Sequence, residues 1–431
     1  MSNISFWNLL NITQEYITVN YAALLTEKEK LPLLKSYIEK FLRDKGYDDD
    51  DELIDRIYSE MAEYSILTKY LGADNLEEIN INAWNDIALT YTDGKIKKLD
   101  EGFRSPTHAT DIIKRLLHHS GMIIDNATPI AQGHLPNNTR ITVLKEPIVD
   151  DGIGVSASIR LLHPSRIKRK DLIDSEMASE EMIDFLEMCI RFGVSIVISG
   201  ATSSGKTTLL NILTNCITNH KRIYTIEGGA RELSARKIQD DKVINNVVST
   251  LARTSDDEKY NVSQEDLVVA SLRFNPDVII IGEMRDVECD SAVEASLTGH
   301  TVLSTVHATA GSAAHMRISL LCQKKHPIDF NTSLIQTGQA FPVVVYTHKL
   351  ENNQRKIMDI SECVIENDGK RSYNSLYSYN VKQNIVKNGA TNILGDFKRT
   401  NVMSKSLEDK LLNSGVPHEI IERFLKRSDS L

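Results

Sequence analysis

The run Gly200-Ala201-Thr202-Ser203-Ser204-Gly205-Lys206-Thr207, followed by Thr208, fits the pattern G-x-x-x-x-G-K-[ST]. That spacing belongs to a phosphate cradle. Glycines let successive backbone N–H groups turn inward on an anion without Cβ clashes, and a following helix N-terminus adds partial positive charge. Lys206 would reach the β- and γ-phosphates of ATP as a mobile point charge. The Thr207 hydroxyl would join a Mg2+ shell otherwise made largely of water.

Three further strand-like runs end in groups that can act on a phosphate. Asp277-Val278-Ile279-Ile280-Ile281-Gly282-Glu283 is an apolar run closed by a carboxylate, which would deliver Glu283 to the Mg2+ and to an attacking water that it orients or deprotonates. Arg222–Glu227 ends in a second carboxylate and is followed by Gly228-Gly229-Ala230-Arg231-Glu232. Thr301-Val302-Leu303-Ser304-Thr305-Val306-His307 ends in a histidine able to donate to a γ-phosphate oxygen. His300, just before that run, is a second, weaker candidate.

The elements needed to position these groups are legible around them. Residues 195–199 form a short β-branched run suited to a strand covered on both faces, and Leu209, Leu210, Leu213 and Ile217 follow at helical spacing. Strands then alternate with helical segments, which implies a parallel sheet with helices on its faces. Ligands of such sheets bind at the carboxyl ends of the strands, where Lys206, Glu283, Glu227 and His307 all fall.

Ahead of this core the texture differs. Residues 1–72 read as helices, with Ile38, Phe41 and Leu42 on one face and Leu53, Ile54, Ile57, Met61 and Ile66 on another. Between them, Asp48-Asp49-Asp50-Asp51-Glu52 reads as a solvated helix start. Residues 73–163 read as a small α/β domain, with strands at 87–91 and 95–99 about the Asp93-Gly94 turn, a helix at 109–119, and strands at 141–144 and 155–161. Residues 164–178, with Pro164, Arg166, Lys168, Arg169 and Lys170, suggest a linker; 179–345 is the core, and 346–431 holds C-terminal strands and helices.

Composition narrows the function classes. Fifty Lys and Arg against 59 Asp and Glu give a net charge of −9, which argues against a broad nucleic-acid footprint. Five scattered cysteines with no C-x-x-C pair support neither a disulfide framework nor a zinc site, and suit a reducing cytoplasm. No apolar stretch approaches bilayer length, and no signal-like N-terminus is present, so membrane association would be peripheral or through a partner.

Taken in order, the phosphate loop, T-I-E with E-L shortly after, D-V-I-I-I-G-E-M-R-D and T-G-H-T-V-L-S-T-V-H-A resemble the secretion ATPase superfamily of type II and type IV secretion and pilus assembly. L-E-E-I-N-I-N, L-P-N-N-T-R and S-I-R extend the likeness, over roughly residues 75 to 345, to CpaF-like ATPases of tight-adherence (Flp) pili. The resemblance implies a RecA-like P-loop NTPase core, ATP and Mg2+ as ligands, and a homo-oligomer, expected as a hexamer. It also implies a cytoplasmic location against the inner membrane, with a membrane platform protein as partner. Arg140 and Arg160 become candidates for closing over the nucleotide. Gly228 stands where the family carries an aspartate, which leaves Glu227 as the carboxylate there. Competing readings are a conjugative type IV secretion ATPase or nucleic-acid motor of the same core, and a small-molecule P-loop kinase.

Overall fold

A computed structural model describes residues 5–26, 31–47, 50–118, 120–135, 139–161, 167–253, 258–366, 368–387 and 390–425. The chain divides into two compact units, Met1–Leu162 and His163–Leu431.

The first unit opens with helices Phe6–Tyr21, Leu31–Asp44 and Asp51–Ala62, whose apolar faces meet in a cluster holding Leu10, Ile17, Leu34, Ile38, Leu42, Ile54 and Ile57. The acidic run behaves as a helix start where it is described: Asp50 caps the third helix by accepting from the Leu53 N–H at 2.9 Å, and Asp51 and Glu52 occupy its first turn. Asp48 and Asp49 lie outside the described residues. Ile66, expected on the same helical stripe, sits instead in a separate 3-10 turn, Ser65–Leu67.

A sheet of β1 (Leu76–Ala83), β2 (Asp86–Tyr91), β3 (Ile96–Lys98), β4 (Ile130–Leu135), β5 (Thr139–Lys145) and β6 (Val155–Leu161) follows, antiparallel in the order β3-β2-β1-β6-β5-β4. Alternation in β5 and β6 sends Ile141, Val143, Ala157 and Ile159 onto helix Pro106–His118. The opposite face is polar. Across it His134 pairs with Arg140, Arg140 with Arg160, and Arg160 with Glu78.

The second unit is a nine-stranded sheet between helical layers. Its strands are β7 (Ile196–Gly200), β8 (Arg222–Glu227), β11 (Asn246–Leu251), β12 (Val278–Met284), β13 (Thr301–Val306), β14 (Val343–Lys349), β15 (Arg355–Ile365), β16 (Arg371–Lys387) and β17 (Ala390–Arg399), with a small hairpin, β9 (Ile238–Gln239) and β10 (Lys242–Val243), beside it. The order is β11-β8-β12-β13-β7-β14-β15-β16-β17. Strands from β11 to β14 are parallel, and those beyond β14 run antiparallel. This is a RecA-like P-loop core.

Alternate residues of the central strands feed opposite faces, so the strands are buried on both sides. Ile196, Ile198, Val278 and Ile280 join helices Glu180–Arg191 and Lys206–Asn215, while Val197, Ile279, Ile281 and Val302 join Glu288–Leu297 and Gly311–Cys322.

Two expected boundaries shift. The linker stretch contains helix Arg169–Asp174, and its Leu172, Met177 and Ala178 are buried in the core, because a basic segment with apolar residues at those positions can dock. Residues after 345 continue the same sheet, and Leu407, Leu411, Ile421 and Phe424 of helices Lys405–Asn413 and His418–Leu425 close its first face. The C-terminal stretch is part of the core. Among the described residues no helix is long and apolar enough to cross a membrane.

Candidate active site

The glycine loop joins β7 to helix Lys206–Asn215 through three residues with positive φ: Gly200 (+154°), Ser203 (+59°) and Gly205 (+94°). Gly200 is required by its neighbours, and Gly205 is favoured by its left-handed backbone. A Cβ on Gly200 would lie 2.4 Å from the Thr347 carbonyl and 2.5 Å from Ser204 Oγ, and one on Gly205 would lie 2.8 Å from Met177 Cε. The loop is therefore packed against β14. The Ser204 and Thr347 hydroxyls are 2.9 Å apart, Ser204 donates to the Ala201 carbonyl at 2.8 Å, and Arg355 Nε donates to the Ser203 carbonyl at 2.9 Å. Ala201 and Thr202 are exposed, and Thr207 and Thr208 are half-buried in the first turn of the helix.

Lys206 is buried, and its Nζ donates to the carbonyls of Gly200 (3.1 Å) and Ala201 (2.7 Å). It also lies 3.4 Å from Nδ1 of His307, whose Nε2 stands 3.0 Å from Glu283 Oε1. An ammonium only donates, so in this contact Nδ1 is the acceptor and the ring proton is on Nε2, the nitrogen nearer the carboxylate. The Nε2–Oε1 pair is a close approach rather than a formed hydrogen bond, and Glu283 Oε1 is buried with no hydrogen-bond partner among the described residues. Burial, then the Lys206 charge, holds the His307 pKa below its ordinary value, which agrees with a neutral ring. His307 thus links Lys206 to Glu283.

Arg285, two residues beyond Glu283, completes the chain with an ion pair of 2.6 Å to Glu283 Oε2. Burial works against ionisation of Glu283, but the Arg285 hydrogen bond and the charges of Arg285 and Lys206 outweigh it and hold the carboxyl below its ordinary pKa. Glu283 is a poised carboxylate. Glu288 shapes the turn that carries Arg285, its Oε1 accepting from the N–H groups of Arg285 (2.5 Å) and Asp286 (2.9 Å).

Glu227 ends β8, the strand beside β12, and its Cγ lies 3.7 Å from where a Cβ on Gly282 would sit. Burial is the dominant influence on it and pushes its pKa up to about 7, although Oε1 accepts from the N–H groups of Glu232 (2.5 Å) and Leu233 (2.8 Å), which pull it down. Asn211, on the helix after the phosphate loop, holds the same returning segment through Glu232 O and Ser234 N. Two carboxyls at adjacent strand ends therefore have their pKa values driven apart, as in acid–base pairs.

Not every candidate joins this cluster. His300 hydrogen-bonds back to the Ala295 carbonyl at the start of β13, and a six-residue strand places it ~20 Å from His307. Arg140 and Arg160 belong to the first unit, directly opposite one another, and neither has a carboxylate ion-pair partner among the described residues. Like charges in that register are unfavourable unless an anion bridges them. Arg285, Glu288, Thr347 and Arg355 escaped the sequence reading. Arg285 alone left a signal, as a cation two places past a strand-end carboxylate.

Lys206 at the start of the helix after β7, His307 just past β13 and Glu283 on β12 meet over a glycine loop at the carboxyl ends of three neighbouring parallel strands, an arrangement suited to holding phosphate. Residues 60–393 match the family described as type II/IV secretion system protein, and the chain belongs to that family. An uncharacterized protein of Methanocaldococcus jannaschii is 34% identical over 260 residues, 57% of this chain and 45% of that protein, so the match spans under half of its length. The type IV secretion system protein PtlH of Bordetella pertussis is 26% identical over 258 residues, 54% of this chain and 74% of PtlH. Among solved structures, the Legionella pneumophila ATPase DotB is similar at 19% identity, covering 82% of this chain and 83% of that chain, with a TM-score of 0.47.

Proposed function

We propose that the chain is an ATPase working as a homo-oligomer, expected as a hexamer, on the cytoplasmic face of a cell membrane. There it couples hydrolysis to assembly of a Flp-type pilus or export of a secretion substrate through a membrane platform protein. The observation that carries this reading is the Lys206–His307–Glu283 chain, which ties the phosphate lysine to the hydrolytic carboxylate. Deleting the gene should abolish pili or the exported protein, and Lys206→Ala should fail to restore them. Restoration by that variant would speak against ATP-driven transport.

The residues fit ATP and Mg2+. The loop carbonyls of Gly200 and Ala201 hold the Lys206 ammonium beside the loop, and the Thr207 hydroxyl and Glu283 carboxylate are the hard oxygen donors that Mg2+ prefers. No cluster of three acidic, His or Cys ligands occurs among the described residues, as suits an ion held mostly by phosphate and water. Mg2+ there would neutralise charge on the β- and γ-phosphates. Lys206 exchanges the loop carbonyls for phosphate oxygens. Glu283, ionised, orients the attacking water and accepts its proton, and His307, with its proton on Nε2, donates to a γ-phosphate oxygen.

Glu227 supplies a pH dependence with a definite sign. Below its pKa of about 7 it is neutral, and above it is a carboxylate. If ionised Glu227 supports the reaction, kcat/KM rises with pH through about 7, and Glu227→Gln flattens that limb. A limb that survives the substitution would assign it to another group.

Arg140 and Arg160 are proposed to take phosphate oxygens of the nucleotide, since paired guanidinium forks match phosphate bidentately. Replacing both with alanine is expected to lower kcat roughly 10- to 100-fold with the fold retained by circular dichroism. Unchanged turnover would leave them as surface arginines.

A further inference from the structure

Gln264 is the first residue of helix Gln264–Ser271, and its amide lies between the backbone at Gly228, just after Glu227, and the backbone of Glu283. Its Nε2 donates to the Glu283 carbonyl at 3.3 Å and approaches Glu288 Oε1 at 3.4 Å. Both neighbours are acceptors, so the nitrogen must face them and Oε1 must face away. That oxygen is buried and has no donor among the described residues. On its other side the amide covers Gly228: a Cβ there would lie 2.9 Å from Gln264 Cδ and 3.0 Å from Nε2. Gly228 has no φ that demands glycine, and a side chain there would have to displace the glutamine amide.

We infer that Gln264 is a positioning residue for Glu283, and that Gly228 is the gap that admits it. Through Nε2 it holds the backbone of Glu283 and, by way of Glu288, the turn that aims Arg285 at the Glu283 carboxylate. The amide thus fixes the carboxylate from behind without touching the nucleotide. The role rests on the ATPase reading given above.

Kept for packing alone, Gln264 would be a poor choice, because a buried unpaired oxygen is unfavourable and leucine of similar shape removes it. The two explanations therefore diverge in Gln264→Leu of the full chain. Positioning predicts a kcat lowered ~10- to 100-fold, the usual loss on removing an outer-shell support, with KM within about twofold and Tm unchanged or raised. Gln264→Glu sets a carboxylate against two acceptors, so its turnover relative to the unaltered chain should recover as pH falls and the new acid protonates. Gly228→Ala should lower kcat when Gln264 is present and have no further effect in Gln264→Ala, because the clash is with the amide itself. Normal kcat in Gln264→Leu, or equal Gly228→Ala losses in both backgrounds, would overturn the inference. The unaltered chain is assayed first: absence of turnover there would overturn the ATPase reading and this role with it, whereas normal turnover with insensitive variants would remove Gln264 alone.

Discussion

Lys206→Ala is expected to reduce ATP turnover about a thousandfold or more, the scale of losing a preorganised charge at a developing anion. The lysine is buried against the loop carbonyls of Gly200 and Ala201, to which its Nζ donates. Its removal takes away the principal cation for the β- and γ-phosphates. His307 loses its Nδ1 donor at 3.4 Å, and its ring is then free to take the other tautomer, so the link to Glu283 weakens as well. Binding of a fluorescent ATP analogue should weaken in parallel, and the melting temperature should change little. Turnover at the level of the unaltered chain would remove the loop from the reaction.

The second large effect concerns Glu283. Glu283→Gln retains the shape of the side chain but loses the negative charge that Arg285 and His307 address, and with it the capacity to accept a proton from water. General-base contributions of this kind are about 10²- to 10⁴-fold in kcat. Nucleotide affinity should be retained, because the phosphate contacts come from the loop and Lys206. The split is diagnostic: kcat falls while binding does not. Should Glu283→Gln hydrolyse ATP normally, Glu227, half-ionised near neutrality, becomes the better base.

Much of this site was legible because each of its strands is an apolar run that stops at a polar group. Parallel strands buried on both faces must be apolar throughout, so the residue where the pattern breaks is the one that emerges at the carboxyl edge. Gly200, Glu227 and Glu283 are such residues, on β7, β8 and β12, and His307 directly follows β13. Two-residue alternation made the first sheet readable in the same way, and β5 and β6 follow it strictly.

What escaped depends on contacts between distant parts of the chain. Thr347 and Arg355 support the loop across more than a hundred residues of sequence, and Gln264 fills the space over Gly228 from a helix with almost no amphipathic signature. No periodicity encodes such meetings. The C-terminal boundary was misplaced for a related reason. Strands β15 to β17 carry the polar, half-exposed texture of antiparallel strands, which reads as a new region even though hydrogen bonding to β14 makes them one sheet with the core. His300 and His307 look alike in sequence, and only the direction of β13 separates the one at its start from the one at the site.

The most direct test of the central claim is phosphate release from ATP by the unaltered full chain, with and without Mg2+, alongside equilibrium binding of a fluorescent ATP analogue. Mg2+-dependent release that falls with both Lys206→Ala and Glu283→Gln, with binding lost only in the first, is the result expected from one continuous Lys206–His307–Glu283 site. Tight nucleotide binding without release at any pH or protein concentration, or release indifferent to both substitutions, would contradict it.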